Sequence, residues 1–126
     1  MALLGVALAT VVSFIASAVL YAIPPVSRLI GARSTPRPGI PVVVQMLLVV
    51  LRSLVMSLLV LGLMVAGGWH GAAAGAVLGL ALASLPAVLL LGSVVHENTP
   101  IPVALVHFTD WLLKLVIIGA LVGAFT

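Results

Sequence analysis

The chain has 126 residues, 64% of them hydrophobic and only 6% charged, and its mean hydropathy is +1.48. Soluble domains carry about 25% charged residues, so this composition excludes a water-soluble fold and demands surface that faces lipid. There is no cysteine, which excludes disulfides, thiolate nucleophiles and Cys-based metal sites. The pI near 10.8 rests on five basic residues, too few to argue for a nucleic-acid partner.

Taken in order, four apolar segments approach the ~20 residues that a transmembrane helix needs. The first is expected over 2–22, stopped by Pro24-Pro25 because proline lacks the amide that would extend the helix. Ala16-Ser17-Ala18 resembles a signal-peptide cleavage site, but no basic residue precedes the segment, so it is read as a retained helix. Residues 23–40 form the expected basic loop, carrying Arg28, Arg33 and Arg37 among turn formers. The second span covers 41–66 and ends in a tight turn at Gly67-Gly68-Trp69-His70. The third covers 71–95, with Pro86 as a source of a kink. After a short loop, His96 to Thr99, the fourth runs over 100–125, with Thr99 as N-cap and Pro100 in the first turn.

This predicts an all-α, polytopic integral membrane protein with four transmembrane helices in one domain, because only closed hydrogen-bonded elements cross hydrocarbon. The basic first loop places residues 23–40 in the cytoplasm and both termini outside a cell (inner) membrane.

Three charges fall inside the spans: Arg52, Asp110 and Lys114. A charge at the bilayer centre costs roughly 3 kcal/mol or more, so it turns towards a partner or a wet cavity. His107, Asp110 and Lys114 recur at helical spacing on one face. At 1.5 Å per residue, Arg52 lies ~16 Å beyond Pro41 and Asp110 ~15 Å beyond Pro100, in one plane near the middle of a ~30 Å core. An Arg52–Asp110 ion pair is therefore expected, with His107 and Lys114 on the same stripe and Gln45 extending it. A structural salt bridge and a proton or anion site both fit this cluster.

Gly75 and Gly79, and again Gly119 and Gly123, have the G-x-x-x-G spacing that lets helices approach closely. Gly119 and Gly123 are expected to leave a flat face for a neighbour, giving a homo-oligomer or a larger membrane complex. Tyr21 reads as an interface anchor, and the span serines as bonded to their own helix backbones. No G-x-S-x-G, H-E-x-x-H or G-x-x-x-x-G-K motif occurs, so the residues support no catalytic set, cofactor or metal site.

Glu97-Asn98-Thr99-Pro100, followed by Trp111-Leu112-Leu113 and then Gly119-Ala120-Leu121-Val122-Gly123-Ala124-Phe125, resembles the end of a bacterial membrane family. That family is catalogued as domain of unknown function 1761. Its members show Glu-x-x-Pro, a tryptophan in the fourth helix and a Gly-Ala-x-x-Gly-Ala ending. Tyr21 before Pro24-Pro25 is similar to the family's exit from its first helix, and the middle agrees in hydropathy alone. The family usually has asparagine and tyrosine where this chain has His107 and Asp110, and an uncharged residue at Lys114. The resemblance implies four membrane helices and supplies no activity.

The expected function is therefore non-enzymatic: an oligomeric or accessory subunit acting through helix contacts within the bilayer. The alternative is a small oligomeric transporter or channel using Arg52, Asp110 and Lys114. The helix-one glutamate of small multidrug transporters has no counterpart between 2 and 22.

Overall fold

The computed structural model describes residues 1–33 and 37–126; residues 34–36 of the expected loop, and the side chain of Arg33, lie outside the described part. Six helices follow in order: α1 Ala2–Ala22, α2 Pro24–Arg33, α3 Val42–Gly67, α4 Ala72–Leu82, α5 Ser84–His96 and α6 Ile101–Ala124. They make four spans long and apolar enough to cross a membrane, α4 and α5 together forming the third over Ala72–His96.

The prolines explain two departures from the sequence reading. Residues 23–40 are not all loop, because the pair that stops α1 also starts α2. Ile23, restricted by the proline after it, is extended at φ −60 and ψ 124, and Pro24 and Pro25 then fill the first turn of α2, where missing amides leave nothing unpaired. In the third span Pro86 has no N–H to offer the Leu82 carbonyl and its ring crowds that group, so the helix breaks at Ala83. Ser84 Oγ supports the break by donating to the Ala81 carbonyl at 2.7 Å. Farther on, α6 begins one residue later than expected. Its N-cap is Pro100, without a side-chain cap from Thr99, and its early proline is Pro102.

The bundle is built around α6, which touches every other helix. One half of its interior is apolar: Val6 and Ala9 of α1, Val60 and Met64 of α3, and Ile118 and Val122 of α6 form one buried cluster. Against α4 the contact is between backbones. A Cβ on Gly75 would strike the Gly119 carbonyl, and one on Gly119 would strike the carbonyl of Gly75. Gly79 meets the Leu115 carbonyl and Gly123 that of Gly71 in the same way. Gly71 N–H also donates to Gly123 O at 3.1 Å from φ +92, a conformation that only glycine adopts at little cost. The two G-x-x-x-G motifs thus pack on each other within one chain. The flat face at Gly119 and Gly123, expected to await a neighbouring copy, is covered by α4.

Candidate functional site

Polar side chains occupy the other half of the interior. On α6 the residues at 107, 110, 111 and 114 form one stripe because the helix repeats every 3.6 residues. Asp110 is buried and accepts from Ser17 Oγ of α1 at 2.6 Å through Oδ1, while Oδ2 faces Lys114 Nζ at 3.2 Å one turn along. Both charges are withdrawn from lipid and neutralise one another. One turn before Asp110, His107 Nδ1 and the Tyr21 hydroxyl share a hydrogen bond of 2.8 Å, again between α6 and α1. The same two helices are therefore tied at two levels.

The pairing of Arg52 with Asp110 is not formed. The described residues contain one ion pair between side chains, Lys114–Asp110, and Arg52 instead lies over the Trp111 ring, its guanidinium carbon 5.1 Å from the centroid. Lys114 Nζ approaches the same ring at 5.3 Å. Such contacts of a cation with an indole face are attractive, but they supply no negative charge. Arg52 remains exposed on the outside of α3. Equal depth had brought Arg52 and Asp110 into one plane; the rotation of α3 about its axis points the guanidinium elsewhere.

Three further expectations are revised. Gln45 does not extend the cluster but donates to the Ile40 carbonyl at 3.0 Å. Tyr21 is joined to His107 and is not simply an interface anchor. Ser17 serves Asp110, although Ser13, Ser57 and Ser84 do bond to carbonyls of their own segments. Ser53 is buried, and its hydroxyl has no hydrogen-bond partner. It lies in a crevice with Arg52, Met56, Trp111, Lys114 and Ile118. Among the described residues no three His, Cys, Asp or Glu side chains gather as a metal site.

These features define a helical membrane protein with four candidate spans, an internally neutralised acid and one arginine left on its lipid-facing side. The chain belongs to the family described as "Protein of unknown function (DUF1761)", which matches residues 4–123. That match extends the resemblance seen at the two ends across the middle of the chain. No curated protein and no solved structure matches it.

Proposed function

We propose that this protein is a non-enzymatic subunit of a bacterial inner membrane that acts by in-plane contact with other transmembrane helices. The state of Asp110 carries this reading. The only acid within the spans is engaged by Ser17 and Lys114 and ties α1 to α6, so its role is that of a strut. The outer surface supports the same reading. No residue of α5 is buried, and that helix touches only α4 and α6. In hydrocarbon such faces associate through close packing with further helices.

Arg28, Arg33, Arg37 and Glu97 all belong to the end of the bundle where α2 lies, and the positive-inside tendency assigns that end to the cytoplasm. A reporter fused after Phe125 is then active outside the cytoplasm; a cytoplasmic signal from an intact fusion overturns the sidedness. Copy counting by single-molecule photobleaching in native-membrane nanodiscs, combined with recovery of co-purifying membrane proteins, tests the subunit reading. More than one chain per particle or a stoichiometric partner is expected. A strictly solitary chain in both mild detergent and lipid overturns it. A second reading, a small carrier assembled from several copies, is favoured by one observation: the arginine of α3 pairs with no carboxylate among the described residues.

A further inference from the structure

Arg52 lies ten residues into the 26-residue helix α3, about 15 Å along it at 1.5 Å per residue. The guanidinium cannot give up its proton, and at this depth an exposed cation draws an anion towards it. A second copy of this chain has none to offer. Its two acidic residues are Asp110, buried and engaged, and Glu97, in the loop at the end of the bundle. The anion therefore comes from outside the chain.

What surrounds the guanidinium indicates its form. Ser53, next to Arg52 in sequence, is 2% exposed and holds a hydroxyl without a partner; the crevice it shares with Arg52 is too narrow for a water, so an anionic oxygen accepts from it only once the exposed guanidinium turns aside. Trp111, beneath Arg52, is also a wall of a trench of about 310 Å³ between α3, α5 and α6, lined by Met56, Leu59, Leu82, Pro86, Leu89 and Leu115. An α-helix, about 10 Å across with its side chains, rides over such a trench, whereas one alkyl chain lies within it. Depth decides between the acids that carry alkyl chains. A phosphate ester stays charged and would have to be dragged into hydrocarbon, but a carboxylic acid travels neutral and ionises on meeting a fixed cation.

We propose that Arg52, Ser53 and Trp111, together with the trench between α3, α5 and α6, bind a lipophilic carboxylic acid, its carboxylate on the guanidinium and its alkyl chain among the aliphatic side chains. The carboxyl proton is released on binding, and no bond is made or broken in the chain. The site is independent of the subunit reading, since the trench takes one flank of α5, at Pro86 and Leu89, and leaves the exposed Val88, Leu91 and Val95 free.

The test uses the whole protein in phosphatidylcholine nanodiscs with palmitic acid labelled with carbon-13 at its carboxyl group. One saturable equivalent per chain is expected, with the resonance at the ionised position and no displacement by methyl palmitate. R52Q should weaken binding at least about tenfold, the loss of a charge-assisted hydrogen bond, while its circular dichroism stays that of the parent. Leu89→Trp, which fills the trench and leaves the arginine, should weaken binding as well. Equal binding by R52Q, or displacement by the methyl ester, overturns the proposal. So does displacement by phosphatidylglycerol, which would assign the arginine to a phosphate, or photocrosslinking from position 55 to a protein helix in native membranes. Copy number in these nanodiscs is read separately, so failure of the acid site leaves the subunit reading standing.

Discussion

Towards its C-terminus α6 lies against α4 glycine on glycine, whereas in its first half its carboxylate and imidazole are tied to two hydroxyls of α1. Between helices in lipid there is no hydrophobic force of the kind that assembles soluble bundles. Association has to come from backbones brought within van der Waals range or from polar groups that hydrocarbon would leave unpaired. This chain uses each means in a different half. The glycine seam has no room for an added atom, and its geometry is fixed by main chain. The polar half is made by side chains, and it contains the exposed Arg52 and the buried, unpaired Ser53 hydroxyl.

The largest effect should come from breaking the seam. A leucine at Gly119 would place its Cβ on the Gly75 carbonyl and its remaining atoms within α4. Neither main chain can move aside without separating the helices. Gly119→Leu should cost more than about 4 kcal/mol, beyond ordinary overpacking, measured by reversible unfolding in bicelles. A loss below about 1 kcal/mol would show that α4 is not held there. The same change should disrupt the monomer itself and not merely its association with other chains, because the seam lies inside one chain.

Next in size is the buried pair. Asp110→Asn leaves Lys114 with the Trp111 ring but without a counter-charge, and should cost about 3 kcal/mol, the lower end for stranding one member of such a pair. Replacing both, Asp110→Leu with Lys114→Met, should recover most of that loss, since an apolar pair of similar volume is often neutral or better. The double-mutant cycle for Asp110 and Lys114 should therefore show coupling above about 1 kcal/mol, while the cycle for Asp110 and Arg52 should be additive. Coupling of Arg52 to Asp110 would mean that α3 rotates in the membrane and that the sequence reading of the pair was right.

Span limits were legible because hydropathy and proline fix them: 2–22 is α1, and 100–125 differs from α6 by a residue at each end. The stripe at 107, 110 and 114 was legible because spacing along one helix fixes which side chains share a face. The azimuth of α3 was not. Gln45 and Arg52 share one face of α3, and Ser53 and Ser57 another, so polarity does not say which face meets the bundle, and equal depth alone joined Arg52 to Asp110. Lys114, four residues away on the same helix, was already in range of the acid. Ser17 was missed because a span serine ordinarily bonds to its own backbone, and only the packing of α1 on α6 brings it to Asp110. The glycines carried a signal that was available: two identical motifs on consecutive antiparallel spans can face each other within one chain, and they do.

The smallest effect separates two serines one turn apart on α3, and it tests the division between the two halves most finely. Ser57 Oγ donates to the Ser53 carbonyl at 2.8 Å and lies 3.5 Å from Thr10 Oγ1 of α1, so Ser57→Ala should cost about 1 kcal/mol. Ser53 is equally buried, but its hydroxyl has no partner, and alanine relieves the chain of an unsatisfied polar group. Ser53→Ala should therefore leave stability unchanged or raise it by up to about 1 kcal/mol in phosphatidylcholine nanodiscs free of fatty acid. With palmitic acid present the order should reverse: the parent gains stability from a ligand that binds the folded state alone, and the alanine variant gains less. A loss from Ser53→Ala without the acid would show that this hydroxyl supports the fold. An equal gain in both chains would remove it from the acid site and leave Arg52 to hold the carboxylate unaided.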